Sequence, residues 1–131
     1  MSYQVNSLED LGEGYGFRKI RAALGVTAFG VNAVVYPPRY VGPAHYHDTQ
    51  DELYFVHRGT AIFNIDGADH RVEAGGLVHV ESTTPRQITN NGDEELVLYV
   101  VGGKGGYVER DGHVVSEADL AKRVAMKEMQ Q

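Results

Sequence analysis

From Phe17 to Val101 the chain is a succession of short strand-like runs broken by Gly, Pro, Asn and Asp, and no stretch there carries apolar residues at helical spacing. The runs are Phe17–Leu24, Thr27–Tyr36, Ala44–His47, Glu52–His57, Thr60–Ile65, His70–Val72, Leu77–Glu81, Arg86–Thr89 and Glu94–Val101. Short strands at this spacing predict an antiparallel sandwich or barrel. Asp66-Gly67 and Asn91-Gly92 each lie between two runs, and both dipeptides suit tight hairpins, so consecutive strands are expected to pair locally. The runs "LYFV" (53–56) and "ELVLYVV" (95–101) are apolar on both faces. A strand buried on one face needs a cover for the other, which predicts a homodimer interface.

Beyond Val101 the pattern changes. "GGKGGYVERDGHVV" reads as a flexible arm, and "SEADLAKRVAMKEMQQ" as a helix with Ser116 at the N-cap, Asp119 completing an S-x-x-D capping pattern, and Val115 able to staple onto Leu120. Leu120, Ala121, Val124, Ala125 and Met129 fall on one stripe, which is expected to pack on the barrel or on a partner subunit. With 131 residues, the chain is read as one domain, residues 1–131, with a barrel core over about 17–101 and an arm and helix over 102–131.

Charge and composition exclude several roles. Eighteen acidic against 12 basic residues give a net charge of -6, the wrong field for a phosphate backbone, so no nucleic-acid partner is expected. Cysteine is absent, which excludes disulfides and thiolate metal sites. The N-terminus has no basic segment followed by an apolar one, and no apolar run approaches the ~18 residues of a membrane span; a soluble, cytoplasmic chain is expected. "GEGYGF" and "GGKGG" lack the strand, helix and spacing of a phosphate loop and are read as structural.

The chemistry concentrates in "GPAHYHDTQDELYFVHRG", residues 42–59. Alternation in a strand puts His45 and His47 on one face, and the four residues after His47 suffice for a turn into a strand whose first inward side chain is Glu52. Two imidazole nitrogens and one carboxylate form a facial set suited to Fe(II), Mn(II), Ni(II) or Zn(II). The competing reading is a solvated strand that carries His and Glu for solubility. The same parity turns Tyr54 and Val56 inward, and Ile88 and Asn90 with Arg86. Tyr54 then either donates to a metal-bound or substrate oxygen or is a core aromatic with a satisfied hydroxyl. Asn90, opening the Asn-Asn-Gly turn, is read as capping backbone groups. His57 has outward parity, His70 and His113 lie beside turns, and His79 is expected outward with Val78 and Val80 inward.

Strand pattern and His/Glu spacing together resemble the cupins, small barrels of double-stranded β-helix topology. The first cupin motif, G-x5-H-x-H-x3,4-E-x6-G, is matched by His45-x-His47-x4-Glu52-x6-Gly59, with Arg39 at the leading glycine position. The second, G-x5-P-x-G-x2-H-x3-N, falls on Gly75 to Asn90, with Glu81 for Pro, Thr83 for Gly and Arg86 for the last histidine. The resemblance covers about residues 27–101. It implies an all-β, jelly-roll-like antiparallel barrel with a short C-terminal helix, and a metal held by His45, His47 and Glu52.

Arg86 cannot supply the missing ligand, because a guanidinium stays protonated and offers no lone pair; His79 is the candidate to replace it, against the outward parity that Val78 and Val80 give it. Its charge about 5 Å from another unit positive charge repels by roughly 3 kcal/mol at an effective dielectric of ~20, and a divalent ion doubles that. Two readings follow. In one, a divalent metal with open positions chelates a small carboxylate or enol-type substrate, Arg86 and Tyr54 assist, and the protein is a dioxygenase or isomerase. In the other, no metal is held, Arg86 pairs with Glu52, and the pocket serves a sensor, carrier or structural module.

Overall fold

The computed structural model describes residues 2–128. Its strands are β1 (Gly16–Arg18), β2 (Gly30–Tyr36), β3 (Tyr40–Val41), β4 (His45–His47), β5 (Asp51–Arg58), β6 (Thr60–Ile65), β7 (Ala68–Glu73), β8 (Leu77–Val80), β9 (Arg86–Asn90), β10 (Leu96–Gly103) and β11 (Gly112–Val114), with helices α1 (Ile20–Leu24) and α2 (Glu117–Glu128). Two antiparallel sheets face each other. One runs β1-β2-β10-β5-β8; the other runs β11-β4-β9-β6-β7, with β3 also on β9. This is the antiparallel double-stranded barrel that the strand pattern predicts.

Local pairing holds at one of the two dipeptide turns. Asp66 and Gly67 have φ of 50° and 87°, the all-positive backbone of a type I′ turn, and β6 pairs directly with β7. At Asn91-Gly92 the expectation fails: β9 and β10 belong to different sheets. Asn90 is the reason. Its buried side-chain amide donates to the carbonyls of Pro37 (2.9 Å) and Glu94 (2.8 Å), reaches that of Tyr36 at 3.3 Å, and its Oδ1 accepts from Gly92 N–H at 3.1 Å. The amide therefore holds the corner at which the chain changes sheet, the capping role that its place before the turn suggests.

Alternation along β5 buries Glu52, Tyr54 and Val56 and exposes Leu53, Phe55 and His57. Their inward neighbours on β8 are Val80 opposite Glu52 and Val78 opposite Tyr54, so His79 lies outward beside Leu53. The core joins Tyr54, Val56, Phe63, Ile88, Leu98 and Val100 across the two sheets.

Three expectations are corrected. The run at 17–24 is a strand only to Arg18; "IRAAL" consists mostly of good helix formers and ends at Gly25, whose φ of 68° makes a left-handed cap. The arm contributes strand β11, which pairs with β4. The third concerns α2. Ser116 does cap it, its Oγ accepting from Asp119 N–H at 3.2 Å and donating to the Asp119 carboxylate at 2.6 Å. Asp119 also accepts from Ala44 N–H at 2.9 Å, which fixes the rotation of the helix against the barrel. Asp119, Lys122, Arg123 and Met126, at i, i+3, i+4 and i+7, are the residues that lose solvent, with Asp119 and Met126 buried. Leu120, Ala121, Val124 and Ala125 stay exposed, Val124 at 50%; Met129 lies outside the described residues. Among the described residues no helix is long and apolar enough to cross a membrane.

Removing the amide at the sheet corner should be costly. Asn90→Ala orphans several buried backbone groups at about 1–3 kcal/mol each, so urea unfolding should show a loss of about 2–4 kcal/mol. A loss under ~1 kcal/mol would mean that the corner holds without it.

Candidate metal centre

β4 and β5 bring His45, His47 and Glu52 together, with one potential donor atom from each lying within 4.8 Å of the others. Glu52 Oε1 is 3.0 Å from His47 Nε2 and 3.6 Å from His45 Nε2. Donor atoms at right angles around an ion with bonds of ~2.1 Å stand about 3 Å apart, so the spacing suits a shared first-row cation.

The orientation of His47 supports the fit. Asp111, just before β11, places Oδ1 2.9 Å from His47 Nδ1. Gln50 Nε2 also lies 3.0 Å from Nδ1, but it gives its hydrogen to Asp111 Oδ1 at the shorter 2.7 Å. With a carboxylate that only accepts as the nearest partner, the imidazole hydrogen is assigned to Nδ1 and the Nε2 lone pair points into the cluster. There Nε2 is buried and without a hydrogen-bond partner: its approach to Glu52 is close but not aligned for a hydrogen bond. A buried nitrogen left open in this way is costly unless something else binds it.

Asp111 does more than orient the ring. Its Oδ2 accepts from the N–H groups of Thr49 (2.7 Å) and Gln50 (2.8 Å), and its Oδ1 accepts from the Gln50 side-chain amide at 2.7 Å. The turn between His47 and Glu52 is thereby clamped from the arm. Asp51 in the same turn accepts from Ser82 N–H at 3.0 Å, and Asp48 meets His113 Nε2 at 2.6 Å, so the two acidic residues of this turn are tied down too. Gly112 permits the close approach of the arm: a Cβ there would come within 3.1 Å of the His47 ring.

Burial alone would raise the Asp111 carboxyl, but hydrogen bonds from Gln50 N–H, His47 and Thr49 N–H outweigh it and bring the pKa down to about 2. Burial likewise opposes the charge on Glu52, yet the two imidazoles beside it hold its carboxyl well below the usual carboxylate range. For His47 burial disfavours the cation, while Glu52 and Asp111 favour it more strongly and Arg86 works against it; the net direction is upward. Tyr54, buried and facing the Glu52 charge, has its pKa pushed well up and donates its hydroxyl to Glu52 Oε1 at 2.5 Å. The Tyr54 hydroxyl is thus satisfied by Glu52, and its ring packs edge-on against Phe63 at 5.2 Å between centroids.

Arg86 is opposite His45 on the neighbouring strand, the register at which a further ligand could join the cluster. It is 1% exposed, and its guanidinium turns away to donate to the carbonyls of Glu81 (3.1 Å), Val80 (3.3 Å) and Ser82 (3.3 Å). The expected alternative of an Arg86 pair with Glu52 is not formed: the ion pairs of Glu52 among the described residues are with His45 and His47. Carbonyl dipoles of the β8–β9 turn take the two terminal nitrogens of the guanidinium instead, while its Nε is buried without a partner. His79 is on the outer face of β8 and does not join the cluster. Asp111 is the residue that sequence reasoning missed. It stands 64 positions from His47 inside a Gly-rich arm, where Asp before Gly reads as a turn, and no local signal marks it.

A cavity of about 470 Å³ opens onto the cluster, walled by Val34, Ile88 and Val100 from the sheets, and by Tyr107, Arg123 and Met126 from the arm and α2. The fold and the cluster together define a double-stranded β-barrel with a candidate metal site of two histidines and a glutamate opening onto a small cavity. A family described as the cupin domain matches residues 32–102, more than half of the chain, and the chain belongs to that family. Among solved structures it is similar to a cupin protein from Bacteroides fragilis, at 23% identity and TM-score 0.70, over 83% of this chain and 90% of that one. A protein from Klebsiella pneumoniae with a double-stranded beta-helix domain aligns at 14% identity and TM-score 0.72, over 87% and 98%. A cupin from Silicibacter pomeroyi described as a sugar phosphate isomerase aligns at 21% and TM-score 0.65, over 88% and 86%. No curated protein matches the sequence.

The depressed pKa of Asp111 has a defined pH signature. A carboxyl at about 2 in the folded chain and near its ordinary value of 3.8 when unfolded stabilises the fold fully above 3.8, and that contribution is lost as pH falls through about 2. Melting temperatures of wild type and Asp111→Asn should therefore differ most near neutral pH and converge toward pH 2. A gap that stays constant down to pH 2 would show that the ionised carboxylate contributes nothing.

Proposed function

We propose that this single-domain cupin is a cytoplasmic, metal-dependent small-molecule enzyme, an isomerase or dioxygenase, in which His45, His47 and Glu52 hold Fe, Mn, Ni or Zn. The observation that carries the reading is the buried, unpartnered Nε2 of His47, whose tautomer Asp111 fixes so that the lone pair faces His45 and Glu52. A bound divalent ion supplies Lewis acidity toward the oxygens of a chelated carboxylate or enol-type substrate.

The chain's own groups do the rest. Asp111 keeps His47 in its ligating tautomer, and Tyr54, a neutral phenol donating to Glu52 Oε1, orients the carboxylate. Val34, Ile88 and Val100 give the inner cavity an apolar wall beside the cluster. Arg86 stays behind the wall, held by the carbonyls of Val80, Glu81 and Ser82, and takes no ligand position. The sugar phosphate isomerase from Silicibacter pomeroyi supports isomerase chemistry as one use of this barrel.

Elemental analysis by plasma mass spectrometry tests the reading on protein purified without chelator. Wild type should carry near-stoichiometric metal, His45→Ala/His47→Ala should carry none, and Asp111→Asn should bind it about 10–100-fold more weakly. Metal-free wild type that also fails to take up any of the four ions would overturn the reading and leave a ligand-binding module.

The exposed apolar face supports a homodimer. Phe55 is opposite Leu77 on the outer side of the first sheet, with Leu53 beside them, and Leu77 is 65% exposed. Light scattering should report about twice 14.4 kDa for wild type and a single chain's mass for Phe55→Glu/Leu77→Glu. A monomeric wild type at micromolar concentration would reject the interface.

A further inference from the structure

The cavity wall carries a charge pattern opposite to that of the whole chain. Lys19, Arg21, Arg110 and Arg123 all line it, four of the 12 lysines and arginines, while its acidic residues are Glu52 in the metal cluster and Glu109. A net charge of -6 would keep an anion away from this protein unless cations were gathered at the point of entry.

Two of these cations are held in place. The Arg21 guanidinium lies 4.0 Å above the centre of the Tyr107 ring, which also lines the cavity. Arg123 sits on the face of α2 that Asp119 turns toward the barrel, one turn before the buried Met126. Both are half-buried, and among the described residues neither forms an ion pair, whereas Arg39, Arg71, Lys104 and Lys122 each have a carboxylate. Half-buried guanidiniums left without a counter-charge, and facing the same cavity as a chelating site, suit an anion as their partner. They come from α1 and α2, two elements that both contribute to the cavity wall.

We propose that the substrate is a small molecule with two oxygen-rich ends, one chelated at His45, His47 and Glu52, the other a phosphate or carboxylate gripped by Arg21 and Arg123. This rests on the metal reading for its first end and is independent of it for the second. The cavity of about 470 Å³ accommodates a molecule of a few carbons carrying both ends.

Three probes isolate the second end by titration calorimetry on manganese-loaded protein: D-glycerate, which has a chelating hydroxy acid alone, L-malate, which adds a carboxylate, and 3-phospho-D-glycerate, which adds a phosphate. One or both of the two-ended probes should bind at least tenfold more tightly than glycerate, and whichever wins names the group. Arg21→Gln/Arg123→Gln should bring that probe down to the affinity of glycerate, with metal content and glycerate binding unchanged. Arg123→Gln alone, on the helix surface, should give a partial loss if the double variant folds poorly, and raising salt should shrink the preference. Equal affinities for the three probes, or a preference that survives both substitutions, would overturn the inference. The two readings fail separately. Arginine-dependent binding of inorganic phosphate by a chain that takes up no metal sinks the metal site and leaves the clamp. Metal-dependent glycerate binding with no arginine dependence of malate or 3-phospho-D-glycerate does the reverse.

Discussion

The contacts of Asp111 hold the candidate site together. One buried carboxylate accepts from the His47 ring, from two N–H groups of the turn between His47 and Glu52, and from the Gln50 amide. It thereby joins the arm after β10 to the strand that carries the histidines and fixes which imidazole nitrogen is open. Its charge is tolerated because four donors surround it, which is also why its proton is held so weakly. The ligating geometry therefore depends on a segment that a linear reading takes for a flexible connection.

Arg86 shows how a buried charge can occupy a ligand's register without becoming either a ligand or a counter-ion. The guanidinium offers planar donors, and the nearby turn offers carbonyls at Val80, Glu81 and Ser82, so the charge is solvated by backbone dipoles. Glu52 is left to Tyr54 and the two histidines. The cations are divided in space: Arg86 stays behind the wall, while Arg21 and Arg123 line the cavity.

The apolar surface is distributed in a similar way. Binary pattern places Leu120 and Val124 on the same stripe of α2, but the capping carboxylate of Asp119 is also the docking group, and it turns that stripe to solvent. On β5 the pattern is followed literally, with Leu53 and Phe55 outward and Glu52, Tyr54 and Val56 inward. In the helix a hydrogen bond overrode the pull of the apolar stripe toward the core; in the strand the pleat left no such freedom.

Much of this protein was legible in its sequence. Strand alternation fixed the inward parity of His45, His47, Glu52 and Tyr54, because neighbouring side chains of a strand must take opposite faces. Asp-Gly fixed one hairpin through its positive φ angles, and Ser116 fixed the start of α2. What only the tertiary structure decided is long-range. The change of sheet at Asn90, the rotation of α2, the partners of Arg86 and the arrival of Asp111 beside His47 each depend on hydrogen bonds between segments whose pairing no local pattern encodes. A strand's period states which way a side chain points; which distant group meets it is settled only when the barrel closes.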